Sequence, residues 1–247
     1  MESTLLEQDA PLAAPAAEGG IYADGTYLRN NPDWHSHDSA WKARHIKAMI
    51  DRNALEPATV CEVGCGAGEV LLNLGQLMPA HTQFFGYDIS PDAYRLCASK
   101  AAPNFEFHLA NLLDEPAHFD LVMAVDVFEH VEDYFGFLRK LHGKARYKLF
   151  HIPLDLSAFA VARRDPLINL WRQVGHIHQF TRDTAIAALE HTGYRIIDHT
   201  YTSGRTELAG QGWKTRLLKW PRKALHAVSP DAAARLLGGY SLLVLAE

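Results

Sequence analysis

The chain has 247 residues, of which 48% are hydrophobic and 21% are charged, proportions typical of a globular protein with a large core. Its 24 basic and 29 acidic residues give a net charge of −5, which argues against a nucleic-acid-binding surface. No apolar stretch reaches the roughly eighteen residues of a membrane-spanning helix, and the first residues lack the basic start of a secretory signal. With only three cysteines, we expect a cytoplasmic protein without disulfides, a transmembrane segment or a nucleic-acid partner.

The first part of the chain is predicted to precede the main domain. Residues 1–20 are rich in Ala, Pro, Glu and Gly without a periodic apolar pattern, so we expect a disordered tail. Within residues 21–58, apolar side chains recur at helical spacing from Trp41 to Ile50. This spacing predicts a helix over 39–52.

From residue 59 onward, predicted strands alternate with predicted helices. Short β-branched or aromatic runs indicate strands, and apolar stripes at spacings of three and four indicate helices between them. The predicted strands cover 59–64, 83–88, 105–109, 119–125, 147–152, 194–201 and 241–246. This order predicts an α/β fold with a doubly wound, seven-stranded, mostly parallel sheet.

Two connections inside the predicted 59–247 domain are too long for ordinary loops. The insertion 153–180 shows no clean periodicity, whereas the insertion 202–240 contains two predicted helices, over 213–228 and 230–237. Pro221 is predicted to break the first of these two helices.

The most informative segment is Val60–Glu69, which joins the first predicted strand to a helix. Gly64, Gly66 and Gly68 alternate with other residues and allow a tight turn that brings bare main chain against a ligand. The dinucleotide fingerprint places its third glycine one residue later. Glu62 would repel a pyrophosphate at this position, but it suits a ligand that carries positive charge.

A second acid, Asp88, ends the second predicted strand. A carboxylate at that place faces the crevice at the carboxyl ends of the strands and can accept both hydroxyl protons of a ribose. Together, Glu62 and Asp88 predict a nucleoside with a cationic portion. S-adenosyl-L-methionine meets both requirements.

Three motifs, EVGCGAG, GYDISPDA and FDLVMAVDVFEHVED, resemble those of class I S-adenosylmethionine-dependent methyltransferases. The resemblance runs from about residue 41 to residue 247 and implies a Rossmann-like fold. It also implies S-adenosyl-L-methionine as the cofactor and S-adenosyl-L-homocysteine as its product. In this family the glycine loop, here with Cys65, lines the methionine part, Asp88 holds the ribose and Ile89 flanks the adenine.

The resemblance implies further cofactor contacts. Asn111 and Leu112 follow the third strand, where many relatives place an acid near the adenine amino group; the Asn111 carbonyl can accept the same hydrogen bond. The stretch that begins with Asp126 and Val127 and ends at His130 would lie beside the transferable methyl group.

A closer resemblance is to small-molecule methyltransferases with an E-H motif after the fourth strand and a later G-H-x-x-x-[FY]-T segment, here Glu129-His130 and residues 175–181. Trp41 and Lys42 lie in a segment that resembles the cofactor-covering lead-in of this group, so 21–58 is expected to cover the cofactor. Relatives of this type are linked to glycan or secondary-metabolite assembly, and their insertions form a lid over the acceptor.

These features together predict methyl transfer to a small-molecule or glycan acceptor, at an oxygen atom. A hydroxyl acceptor must lose its proton, and histidine is the side chain best suited to accept it near neutral pH. The candidate bases are His130, His151 and His176. Two alternatives remain open at this stage: a nicotinamide-dependent oxidoreductase, and a non-catalytic nucleoside-binding module of the same fold.

Two further patterns allow several interpretations. The basic residues of 213–228 form a solvated helical face, a contact to a phosphate or an anionic acceptor, or a membrane-surface helix. The pairs His35-x-His37 and His176-x-His178 have the spacing of metal ligands on a strand, but no further Cys/His cluster supports them. We therefore expect no metal.

Overall fold

The computed structural model describes residues 36–163, 165–208 and 213–247. The predicted tail 1–20 and the beginning of the 21–58 segment, including His35, lie outside the described residues. The strands are β1 (Thr59–Val63), β2 (Gln83–Asp88), β3 (Phe105–Leu109), β4 (Phe119–Val125), β5 (Ala145–Pro153), β6 (Ile196–Thr202) and β7 (Ser241–Ala246). The helices are α1 (Ser39–Arg52), α2 (Glu69–Gly75), α3 (Pro91–Ala98), α4 (Tyr134–His142), α5 (Ala158–Ala162), α6 (Pro166–Val174), α7 (Arg182–His191), α8 (Gly204–Glu207), α9 (Trp213–Val228) and α10 (Pro230–Leu237).

The strands form one sheet in the order β3-β2-β1-β4-β5-β7-β6. Strands β1 to β5 pair in parallel, and β7 lies antiparallel to both of its neighbours. The predicted doubly wound, seven-stranded and mostly parallel sheet is therefore confirmed. The chain crosses from one half of the sheet to the other between β3 and β4, which places a topological switch point, and with it a crevice, at the carboxyl ends of β1 and β4.

Local sequence signals explain where several helices begin. The Ser90 hydroxyl accepts a hydrogen bond from the Ala93 amide, and Pro91 occupies the first turn of α3, where its missing amide proton costs little. Thr181 and Thr184 form a reciprocal capping box at the start of α7, so both satisfy amide groups that have no partner within the helix.

Apolar side chains cover both faces of the sheet. On one face, Ile46 and Met49 of α1 and Leu71 of α2 pack against the buried side of the strands. On the other, Leu138 of α4 and Leu189 of α7 complete a second cluster. Because helices cover the sheet on both sides, the central strands can be apolar on both faces, as the continuous run 119–125 predicted.

The insertion 153–180 contains the short helices α5 and α6. One expectation for the other insertion needs correction. Pro221 does not break α9, because the helix continues through it to Val228. Proline removes only one helical hydrogen bond, and the next turn is fixed by Arg222, whose Nε donates to the Gly238 carbonyl at 2.9 Å.

None of the helices in the described ranges has both the length and the apolar character needed to cross a bilayer. Cys61, Cys65 and Cys97 are all buried free thiols, as expected for a chain without disulfides.

Candidate active site

Two adjoining cavities open at the carboxyl ends of the central strands. The glycine-loop cavity, with a volume of about 310 Å³, is lined by Glu62 and by residues 64–67 of the β1–α2 connection. The insertion cavity, of about 280 Å³, is lined mainly by residues of the segments 153–180 and 202–240. Asp38, Lys42 and Asp126 line both cavities and so mark the place where they meet.

The β1–α2 connection forms the bare floor that the sequence predicted. Gly64 has a φ of +69°, and a Cβ built on it would lie 2.9 Å from Cγ2 of Val127. A side chain at this position would therefore be strained and would push against the β4 loop. Val127 itself packs on the floor of the cavity without lining it.

Glu62 is the unusual group of the glycine-loop cavity. Its side chain is 2% exposed, and its Oε2 has no hydrogen-bond partner within the described residues. Burial raises the pKa of Glu62 well above its ordinary value; nearby Lys42 opposes this shift, and the negative charges of Asp88 and Asp126 add to it. A buried carboxyl group without a partner suits a cationic ligand that would pair with it.

Asp126 joins the two cavities through a chain of ion pairs. Its Oδ2 lies 2.8 Å from Nζ of Lys42, which also lies 3.0 Å from Asp38, and its Oδ1 lies 2.6 Å from Nδ1 of His151. Burial alone would raise the pKa of Asp126, but the charges of Lys42 and His151 hold it well below its usual range. Asp126 also has a φ of +53°, a strained conformation that is frequent at functional sites.

The rings of Trp41 and His151 lie on the insertion side of this chain of ion pairs. The Trp41 indole donates to Oε2 of Glu207 at 2.7 Å, and its ring meets the His151 ring edge-on. Nε2 of His151 lies 2.9 Å from the Thr202 hydroxyl, so both nitrogens of this buried ring are engaged. The predicted cofactor contact Trp41 and the predicted base His151 thus belong to the insertion cavity.

His130 and His176 meet in the glycine-loop cavity, with ring centroids 4.8 Å apart. Nδ1 of His176 lies 2.6 Å from Oδ2 of Asp155, and Nδ1 of His130 lies 2.9 Å from the Gly175 carbonyl. Each of these contacts places the proton on Nδ1 and leaves Nε2 as the acceptor. Of the three candidate bases, His151 and His176 each place Nδ1 against a carboxylate, but the Nε2 of His151 also contacts the Thr202 hydroxyl.

Glu129 lies behind these two histidines. It is fully buried, and neither carboxylate oxygen has a hydrogen-bond partner within the described residues. One ligand atom each of Glu129, His130 and His176 lie within 4.8 Å of one another, so these residues could hold a metal ion. Burial, reinforced by the charge of Asp126, raises the pKa of Glu129 well above its ordinary value, whereas a metal ligand must be ionised. The expectation of no metal stays a prediction.

Six predicted cofactor contacts do not line either cavity. Asp88 accepts hydrogen bonds from the amides of Gly66 and Ser90, each at 2.8 Å, and so fixes the glycine loop. Asn111 accepts from the Leu113 amide and caps a single turn of 3-10 helix. The remaining four are Gly68 and Leu112, which pack in the interior, Ile89, which is 59% exposed at the rim, and Val127.

Sequence reasoning missed the partners that organise the site. Asp155 lies two residues after the end of β5, and this position near a strand end was the available signal for its pairing with His176. Glu207 lies 166 residues from its partner Trp41, and Thr202 lies 51 residues from its partner His151. No local sequence pattern relates residues so far apart.

Comparison with known proteins identifies the family. Residues 34–199, about two thirds of the chain, match the family described as a methyltransferase domain. The chain belongs to this methyltransferase family. The predicted class I methyltransferase fold is thereby confirmed, and the glycine-loop cavity lies within the matched residues.

Individual relatives share little sequence with this methyltransferase. Ajmaline N-methyltransferase of Rauvolfia serpentina is 26% identical over 133 residues, which span 49% of this chain but only 45% of that protein. The magnesium protoporphyrin IX methyltransferase of Synechocystis PCC 6803, solved with S-adenosylhomocysteine, superposes with a TM-score of 0.56 at 17% identity, over 84% of this chain and 81% of its own. The N-methyltransferase NodS of Bradyrhizobium japonicum superposes with a TM-score of 0.55 at 15% identity, over 90% of this chain and 98% of its own. At these identities the structures support the fold alone.

Proposed function

We propose that this methyltransferase binds S-adenosyl-L-methionine in the glycine-loop cavity and methylates a hydroxyl oxygen of a small molecule. The observation that carries the proposal is Glu62, a buried carboxyl group whose Oε2 has no partner, beside bare main chain at the switch point of the sheet. The cofactor contains an ammonium group, which would supply the missing hydrogen bond. NAD would instead place a pyrophosphate against this acid.

The other residues fit the remaining parts of the same ligand. Lys42 lines the cavity next to Glu62 and suits the carboxylate of the amino-acid part. Asp88 uses one lone pair of each oxygen for the loop amides and keeps others for ribose hydroxyls. Exposed Ile89 and the Asn111 turn would form the adenine end of the site, beyond the walls of the cavity described above.

The bound cofactor would supply a methyl group on a cationic sulfur. The chain's own task is then to align the acceptor, exclude water and accept a proton. We propose that Nε2 of His176 takes the proton of the acceptor hydroxyl. Asp155, 2.6 Å from Nδ1, would hold the ring in the correct tautomer and stabilise the imidazolium, as the acid does in a Ser-His-Asp triad.

The acceptor would occupy the insertion cavity, with the segments 153–180 and 202–240 as its lid. This cavity has the size of a binding site for one small ligand and meets the glycine-loop cavity at Asp126. Its basic side chains Arg163, Arg205 and Arg222 favour an anionic acceptor, drawn from glycan or secondary metabolism. We also propose a cytoplasmic location, in keeping with the three free thiols.

Calorimetric titration with S-adenosylhomocysteine and with NADH tests the proposal. We expect the former to bind with micromolar affinity and NADH not to bind, and we expect Asp88→Ala to weaken S-adenosylhomocysteine binding. A panel of hydroxylated carboxylic acids and sugar phosphates, with S-adenosylhomocysteine formation as the readout, would then identify the acceptor.

The two alternative functions give different results in these assays. NADH fluorescence enhancement without a response to S-adenosylhomocysteine would indicate an oxidoreductase. Binding of S-adenosylhomocysteine without turnover of any hydroxylated acceptor, but with turnover of amines, would move the methylated atom from oxygen to nitrogen. Binding without turnover of any acceptor class would indicate a binding module.

A further inference from the structure

The insertion cavity contains a buried cation for which the described residues supply no counter-ion. Arg222 of α9 is 2% exposed and lines the cavity. Its Nε and Nη2 donate to the carbonyls of Gly238 and Leu237 at the end of α10. Its Nη1 is buried and has no hydrogen-bond partner within the described residues. A buried charged group in this state costs free energy unless a ligand supplies the partner.

A second arginine lies against the first. A Cβ built on Gly239 would lie 2.6 Å from Cδ of Arg205 and 3.3 Å from Nε of Arg222, so the missing side chain of Gly239 lets both arginines pass the same point. Burial lowers the pKa of Arg222, and the positive charge of Arg205 lowers it further. Two cations so close together repel each other unless an anion lies between or beside them.

The protein's own acids do not neutralise this pair. Among the described residues, no salt bridge links Arg205 or Arg222 to a carboxylate. The acids that line the same cavity are paired elsewhere: Asp38 and Asp126 with Lys42, and Asp155 with His176. The acids of the cavity are therefore each paired with another group, whereas neither guanidinium group has a carboxylate partner among the described residues.

We propose that Arg222 and Arg205 form an oxyanion subsite that anchors a carboxylate or phosphate group of the acceptor. Guanidinium groups present planar forks of N–H donors that match these anions in geometry as well as in charge. An acceptor fixed by its anion at this end would extend toward Asp126 and the glycine-loop cavity, where its hydroxyl would react. This subsite rests on the proposed function for its biological role, but not for its ability to bind an oxyanion.

Thermal unfolding in the presence of simple oxyanions tests the subsite. Wild-type protein, saturated with S-adenosylhomocysteine to fill the cofactor site, is melted with 20 mM potassium phosphate or potassium acetate, against potassium chloride of equal ionic strength. We expect at least one oxyanion to raise the midpoint by about 2–5 °C, the shift for millimolar affinity in a protein of this size. The more effective anion tells whether the acceptor carries a phosphate or a carboxylate.

Variants separate specific binding from general salt effects, because phosphate stabilises most proteins to some degree. Arg205→Gln removes an exposed side chain and should lose at least half of the shift, and Arg222→Lys should lose nearly all of it. Arg146→Gln is the matched control, since Arg146 lies against Tyr147 at the start of β5, and should keep the full shift. Arg222→Lys also breaks the contacts to α10 and could unfold, so the test depends on Arg205→Gln.

Equal shifts in wild type, Arg205→Gln and Arg146→Gln would mean nonspecific ion stabilisation and would overturn the subsite. So would no shift in folded wild-type protein. Calorimetry with S-adenosylhomocysteine on ligand-free protein from the same preparations keeps the two proposals apart. If S-adenosylhomocysteine binds while oxyanions do not, the subsite fails and the proposed function stands. If oxyanions bind while S-adenosylhomocysteine does not, the proposed function fails instead.

Discussion

The two cavities share a wall but differ in how the chain builds them. The glycine-loop cavity has its floor in one continuous strand-loop-helix segment, residues 62–70, and contains the Glu62 carboxyl group, whose Oε2 has no hydrogen-bond partner among the described residues. The insertion cavity is assembled from segments that lie as far apart in sequence as Trp41 and Gly239, and it carries unpaired positive charge at Arg222. One cavity thus suits a cationic ligand and the other an anionic ligand.

This contrast indicates a division of labour within the fold. A site built by consecutive residues is specified by a short motif and can be the same in many enzymes with one cofactor. A site built by distant insertions can change without disturbing the sheet, because loops at the strand ends tolerate variation. Asp126 and Lys42, which line both cavities, are the residues through which occupation of one would affect the other.

The largest effect should come from His176, the proposed general base. We expect His176→Asn to reduce kcat by about 10²- to 10⁴-fold, the range for loss of a general base, with an unchanged affinity for S-adenosylhomocysteine. Asp155→Asn should reduce kcat less. His118→Asn, at an exposed histidine far from the site, is the control. Retention of full activity in His176→Asn would transfer the role of base to His151 or His130.

The next largest effect should be confined to the glycine-loop cavity. Gly64→Ala adds a Cβ at a φ of +69° and 2.9 Å from Val127, so we expect cofactor affinity to fall about 10- to 100-fold, corresponding to a cost of roughly 1–3 kcal/mol. The oxyanion response of the insertion cavity should persist. Gly143→Ala, where a Cβ meets nothing closer than 4.0 Å, should bind the cofactor as wild type does.

Proton release on cofactor binding would test the charge of the glycine-loop cavity. Burial raises the pKa of Glu62 well above its ordinary value, which favours the protonated form in the free protein, and an ammonium group that pairs with the carboxylate would lower this pKa again. Binding should therefore release a proton. The affinity for the cofactor should rise with pH until the pH reaches the pKa of Glu62 in the free protein. Calorimetry in buffers of different ionisation enthalpy measures this release, and Glu62→Gln should abolish it and weaken binding about tenfold. Equal proton release on cofactor binding to wild type and to Glu62→Gln would contradict the role assigned to Glu62.

The scaffold should respond differently from either cavity. Thr181→Ala removes the capping box of α7, a helix outside both cavities, and should lower the free energy of unfolding by about 1 kcal/mol. Chemical denaturation measures the loss. Ligand binding at 20 °C below the midpoint should be unchanged, which shows that the binding defects above do not arise from a general loss of stability.

The smallest expected effect is that of metal removal. Glu129 is the only carboxylate of the Glu129, His130 and His176 cluster, and burial raises its pKa, which opposes the ionised form that a metal ligand needs. Dialysis against EDTA should therefore leave kcat unchanged. Loss of activity that zinc or another divalent ion restores would show that the cluster binds a metal.

The sheet was predictable because a local sequence pattern indicates each strand. Short runs of apolar, β-branched and aromatic residues set β1, β2, β4 and β7 to within one residue, and their alternation with helices left few topologies. Pro221 was misjudged because the helix around it is stabilised by distant partners, such as the carbonyls that hold Arg222, and a local rule cannot include these partners.

The sequence alone determined the glycine loop between β1 and α2, because contiguous residues such as Glu62 and Gly64 keep their relative positions in any strand-loop-helix unit. Only the tertiary structure decided which histidine faces a carboxylate and which arginines lack one. His176 meets Asp155, and Arg222 meets Arg205, through contacts that depend on how the insertions fold back over the sheet. Such pairings follow from the packing of whole elements, since side chains far apart in sequence are brought together only when the core between them has formed.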